Sequence, residues 1–132
     1  MHGEVVFSVA DDKKEVMVDF GTEIEPTKIV RKGDIVLGNR VAPNNIWMYQ
    51  ESFDTNEQFL PVFEDLLCKL IGRGKYIKEL LQKYNNVSLK VYLRSDFGQL
   101  GFVIPPQLID QINRIGCSLE IDILSGGGVL DE

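Results

Sequence analysis

The alternation of apolar and polar side chains is cleanest between Val87 and Ser95. There Leu89, Val91 and Leu93 fall on one side, and Ser88, Lys90, Tyr92 and Arg94 on the other. A period of two is what a half-buried strand requires, because successive side chains point to opposite faces of the pleat. The Ser95-Asp96-Phe97-Gly98-Gln99 segment is rich in turn formers and predicts a return through a second strand, Gly101 to Ile104. Pro105-Pro106 stops that strand, since proline lacks the N–H a ladder needs. Leu108, Ile109, Ile112 and Ile115 then recur at helical spacing, with Gly116 where a left-handed cap is wanted. Leu119, Ile121 and Ile123 alternate with Ser118, Glu120 and Asp122 as a closing strand.

Upstream, Val5, Phe7 and Val9 mark a first strand over Glu4 to Ala10. Asp11 to Gly21 reads two ways. Val16, Val18 and Phe20 would line a strand in a hairpin closed by Asp11-Asp12-Lys13-Lys14; Val16, Met17 and Phe20 would line a short helix capped by Asp11 or Asp12. Glu25 to Asp34 has no consistent period, with Pro26 forcing an extended approach and Lys32-Gly33-Asp34 a turn. Ile35 to Asn45 reads as a surface loop. Ile46 to Glu51 is a strand with Trp47 and Tyr49 on one face and Ile46 and Met48 on the other.

The longest helix begins at Asp54 or Thr55, with Glu57 or Gln58 placed for a capping box. Phe59, Phe63, Leu66, Leu67, Leu70 and Ile71 form its apolar stripe, and Pro61 belongs in or near the first turn unless the helix kinks. Gly72-Arg73-Gly74 ends it, and Tyr76 to Tyr84 forms a shorter helix. The element order predicts an α+β fold, a mostly antiparallel sheet with helices packed on one face, in a ferredoxin-like arrangement with room for an extra strand. Residues 1–125 form one domain, and 126–132, opening on three glycines, form a flexible tail.

Several stretches resemble a family of small bacterial proteins of unknown function. They are Glu25-Pro26-Thr27-Lys28, Arg31-Lys32-Gly33-Asp34, Trp47, the helix pair, and the closing Leu119-Glu120-Ile121-Asp122-Ile123. The resemblance covers nearly the whole chain. It implies a single bacterial domain, with a short helix before the proline-threonine motif. Here the spacing through Phe20-Gly21-Thr22-Glu23-Ile24 is longer than usual, and Leu124 stands where an aromatic is common. The family supplies no activity, cofactor or catalytic residue.

Composition narrows the function classes. The net charge of −6 argues against nucleic acid, whose phosphates are bound by Lys and Arg. No apolar run approaches the roughly 20 residues that span a bilayer, and Met1-His2-Gly3-Glu4 lacks a signal-peptide pattern. Two cysteines, Cys68 and Cys117, read as buried free thiols, so the expected location is cytoplasmic. With His2 the only histidine, triads and most zinc sites are out of reach. Glu120 and Asp122 could serve as a carboxylate pair, but a solvated strand face paired with Lys90 and Arg94 explains them better. Gly72-Arg73-Gly74-Lys75 opens a helix but lacks P-loop spacing, and Asp96-Phe97-Gly98 stands without the other kinase motifs.

The expected function is therefore a non-enzymatic interaction or modulator domain, immunity-like, with no cofactor, metal or catalytic site and another protein as partner. The alternative is a small-molecule-binding regulatory domain acting as a homodimer. The candidate surface is Lys28, Arg31, Lys32, Asp34 and Trp47, a basic loop beside an aromatic within an acidic chain. Trp47, Tyr49 and Tyr92 are further candidates for an exposed aromatic surface.

Overall fold

In the computed structural model, residues 1–98 and 100–128 are described. Strand β1 (His2–Asp11) takes the middle of the sheet, and its run Val5-Val6-Phe7-Ser8-Val9 is buried throughout. Such a run belongs between two partners. β3 (Asn45–Phe53) pairs antiparallel on one side and β4 (Asn86–Phe97) antiparallel on the other. The short β2 (Lys28–Val30) adds to β3, and β5 (Ser118–Gly128) runs parallel to β4, giving the order β2-β3-β1-β4-β5. The fold is α+β with a mostly antiparallel sheet.

Register sorts the two faces. Val9, Trp47 and Val87 share one row, and Phe7, Tyr49 and Leu89 the next, with Val5, Glu51 and Val91 beyond. This face carries helices α1 (Asn56–Ile71), α2 (Gly74–Lys83) and α3 (Pro106–Ile115). Phe59, Phe63, Leu66, Leu67 and Leu70 of α1, Ile77 and Leu80 of α2, and Leu108 and Ile115 of α3 complete one core. The opposite face carries Glu4, Val6, Ser8, Met48, Lys90, Tyr92, Glu120 and Asp122. Gly3 is required where β1 meets β4, because a Cβ there would lie 1.8 Å from the Tyr92 carbonyl oxygen.

Several expectations are corrected. The segment Asp12 to Thr27 is neither helix nor strand; it crosses the sheet as an irregular strap. Gly101 to Ile104 forms no strand, because β5 takes the β4 edge. Phe102 instead turns its ring to Phe59, 5.7 Å between centroids, and Leu100 and Ile104 close the core with it. Gly126 to Gly128 continue β5 rather than opening a tail, and 129–132 lie outside the described residues. Gly126 suits this place, since a Cβ there would lie 3.2 Å from the Asp96 carbonyl oxygen and 3.3 Å from that of Ser95, at an irregularity in β4.

Pro61 falls in the second turn of α1, where it offers no N–H to the Glu57 carbonyl; both residues are exposed. The cap is Thr55 without a side-chain bond, and the Asp54 N–H donates to Gln58 Oε1 at 2.7 Å instead. Cys68 is exposed and Cys117 half-buried, both free. No described helix is long and apolar enough to cross a membrane.

On α3 the helical spacing groups Leu108, Ile109, Ile112 and Ile115, yet Leu108 and Ile115 face the core while Ile112 is half-buried and Ile109 exposed. Ile115→Ala is expected to cost about 2–5 kcal/mol by denaturant titration, and Ile112→Ala clearly less. Equal costs would mean that α3 is rotated from this orientation.

Candidate docking site

The site begins with an anchor at the end of β1. Asp11 is buried at the strap's start. Its Oδ1 accepts the Lys13 and Lys14 N–H groups, each at 2.8 Å, and its Oδ2 accepts Asn85 N–H at 3.1 Å. These backbone donors, Lys14's first, hold its carboxyl below the ordinary value of 3.8. Further along, Tyr84 Oη accepts the Met17 N–H and Tyr76 Oη the Asp19 N–H, both at 2.9 Å. The two tyrosines at α2 thus replace the ladder that a strand would have supplied.

Phe20 then wedges into the core. Its ring lies 5.7 Å from Phe7, 5.7 Å from Trp47 and 5.1 Å from Tyr76, near-perpendicular to Phe7 and Tyr76. Glu23 closes the strap on Arg73 at 2.5 Å, and Arg73 also donates to the Lys69 carbonyl at the end of α1. That commitment makes Gly72-Arg73-Gly74 an interhelical junction.

The proline-threonine motif follows as a stitch. Thr27 N–H donates to the Met48 carbonyl at 2.8 Å, and Thr27 Oγ1 accepts Gln50 N–H at 2.9 Å, which starts β2 against β3. The Arg31-Lys32-Gly33-Asp34 motif is a tight turn. Asp34 N–H donates to the Arg31 carbonyl, Gly33 takes φ +96° at the third position, and the Asp34 carboxylate accepts Arg31 N–H at 2.8 Å. Lys32 is held by Asn45 Oδ1 through its N–H, and its Nζ donates to the Asp12 carbonyl.

From this turn rises a small hairpin finger, residues 34–42. Gly33 and Ala42 bond across its base, Ile35 bridges Val41, and Gly38 at φ +65° opens the tip turn. Ala42 is buried, but Ile35, Val36, Leu37 and Val41 are all exposed, Leu37 at 83%. A groove of about 370 Å³ lies beside it, between strap residues 15–19 and the β2–β3 end, with Ile29, Arg31, Trp47 and Tyr76 in its lining. A smaller hollow runs along Lys28, Ile29 and Asp34 to Ile35 and Leu37.

The sequence-predicted residues therefore divide. Lys28 and Arg31 have no ion-pair partner among the described residues and stand free at the finger's foot. Lys32 and Asp34 are used to build the turn. Trp47 is 2% exposed, a buried wall of the groove rather than a surface aromatic, and Tyr92 lies on the opposite face of the sheet. Sequence reasoning missed the finger's four aliphatics, whose signal was an apolar run inside a segment otherwise rich in Gly, Asn and Pro.

It also missed a polar cluster between β3 and α1. Lys69 Nζ lies 2.9 Å from Tyr49 Oη, Glu51 Oε2 and Asp65 Oδ2. Bonds from Tyr49 and Glu51 make the ammonium more basic than usual, while burial raises the Glu51 carboxyl. A lysine held so firmly charged is no nucleophile at neutral pH. Cys117 is likewise unreactive, burial pushing its thiol up to about 11. Arg94 pairs with Glu4 of β1 rather than with Glu120 or Asp122.

Phe20→Ala is expected to cost about 3–5 kcal/mol and to shift the emission of the single tryptophan to the red as the strap loosens. Unchanged emission would disconnect the strap from Trp47. Because the folded Asp11 carboxyl titrates below its unfolded value, its stabilisation is present above about pH 4 and lost as pH falls through the folded value. Asp11→Asn, which sets an amide N–H₂ or a weaker acceptor against these donors, should lower the melting temperature at pH 7 and flatten its fall below pH 4. A parallel acid limb would refute the anchor.

Comparison with curated proteins and with solved structures finds no match. Residues 6–126 match the family model described as "Domain of unknown function (DUF4279)", so the chain belongs to that family.

Proposed function

We propose that the protein is a non-enzymatic interaction domain that modulates another protein, docking through the finger and the β2 side of the sheet. The observation that carries this reading is the finger itself. Four large aliphatic side chains on nine residues belong neither to the core nor to its partly buried fringe and are 41–83% exposed, and folding alone gives no reason to hold them in water. Lys28, Arg31 and Arg40 surround them with positive charge in a chain of net charge −6. The fitting partner presents an apolar cleft with an acidic rim. Arg31 and Trp47 both line the groove, and these residue types are enriched at binding centres.

The test is capture from the native lysate with the wild type, Leu37→Asp, and a Lys28/Arg31/Lys32 triple alanine variant. A stoichiometric protein held by the wild type and lost by both variants is the expected result. Leu37→Asp should leave the melting temperature within the error of an exposed substitution, about 0.5 kcal/mol. A partner retained by both variants would move the interface elsewhere, and failure to recover any stoichiometric protein would overturn the reading.

A further inference from the structure

The two edges of the sheet are finished differently. At one edge β2 is three residues long and is flanked by the finger. At the other, β5 runs for eleven residues, and among the described residues no strand pairs with its outer side. Natural sheets blunt such an edge with proline, lysine, a bulge pointing inward or a covering segment, because a row of free N–H and C=O groups templates another strand. β5 contains no proline and no lysine or arginine.

Its side chains are sorted by face. Leu119, Ile121 and Ile123 continue the helix-side rows begun by Leu89, Val91 and Leu93. The helices cover Leu119 in part but leave Ile121 and Ile123 increasingly open, at 38% and 55%. On the other face Glu120 stands beside Lys90 and Asp122 beside Tyr92, which has Glu4 on its far side. Both acids are exposed and neither forms an ion pair among the described residues.

We infer that β5 is an acceptor edge for an extended segment of another protein that alternates apolar and basic residues. The segment's backbone would complete the outward hydrogen bonds, its apolar side chains would cover Ile121 and Ile123, and its Lys or Arg side chains would lie opposite Glu120 and Asp122. A second copy of this chain fits less well, since the charged residues its own β5 brings to that face, Glu120 and Asp122, would meet their like. This inference is independent of the finger and stands or falls without it.

The probes are three capped peptides: Val-Lys-Val-Lys-Val-Lys-Val, the same composition in blocks as Val-Val-Lys-Lys-Lys-Val-Val, and Val-Glu-Val-Glu-Val-Glu-Val. Binding to the full chain is followed by amide chemical shifts and calorimetry. The alternating basic peptide should bind about tenfold or more tighter than either other peptide and perturb the amides of residues 118–126 first. A Glu120→Lys/Asp122→Lys variant, with its melting temperature confirmed unchanged, should lose that peptide and gain the acidic one. Equal binding of the block peptide would reduce the effect to general charge attraction and overturn the inference. So would shifts centred away from β5, or a dimer by light scattering whose β5 amides are already protected from exchange.

Discussion

The wedge of Phe20 among Phe7, Trp47 and Tyr76 is the contact on which the functional side of the molecule depends. A strand earns its place through ladder bonds, but the strap that starts at Asp12 makes none to β3 before its last residue, Thr27, which donates to the Met48 carbonyl. Its position rests on one aromatic insertion, the burial of Ile24, and hydrogen bonds at Asp11, Met17 and Asp19. That arrangement places residues 15–19 over the β2–β3 end without sealing it, which is why a groove survives there. A paired strand in the same place would have buried Ile29 and left no opening.

Charge is divided along the same line. On the helix side three cations are committed: Lys69 to Glu51 and Asp65, Arg73 to Glu23 and the end of α1, and Arg114 to Asp110. On the open face of the sheet Arg94 is committed to Glu4. Lys28, Arg31 and Arg40 are left without ion pairs among the described residues, and they cluster at the finger. An acidic protein can thus carry a basic surface of short reach, because Glu4, Glu23 and Glu51 are paired within the fold and others, such as Glu120 and Asp122, lie at the opposite edge of the sheet. Screening at physiological ionic strength, about 8 Å, keeps the distant acids from cancelling it.

The sequence revealed most where one face of a strand is covered by neighbours close along the pattern. The alternation through Leu89, Val91 and Leu93 and the helical spacing through Leu108 and Ile115 both appear in the structure as read, as does the left-handed cap at Gly116, φ +83°. The strap was illegible because what holds it lies some sixty residues away, in Tyr76 and Tyr84; Val16, Val18 and Phe20 alternate, but against a core and not a partner strand. Gly101 to Ile104 misled for the opposite reason. Phe102 and Ile104 have the right period, and only the pairing of β5 with β4 decides that they serve as a lid. For the site, the basic motif was legible by composition. That Lys32 and Asp34 build the turn while Lys28 and Arg31 stand free depends on hydrogen bonds to Asn45 and Asp12, which no local pattern encodes.

The Pro26-Thr27 and Arg31–Asp34 motifs act through this geometry. The Thr27 stitch fixes the start of β2, and the Arg31–Asp34 turn with its Asn45 and Asp12 tethers fixes its end, so the finger leaves the domain in one direction. Its side chains are unpacked, yet its base and tip are closed by four backbone bonds. A segment held in this way loses little further backbone entropy when a partner covers it, so more of the apolar burial remains as affinity. The same construction separates folding from recognition. Apart from Gly38, whose φ of +65° favours glycine, residues 35–41 are free to change with little effect on stability, whereas Thr27, Gly33 and Asp34 cannot change without redirecting the finger. Constraint in the mount and freedom at the tip would suit the docking role proposed for the finger.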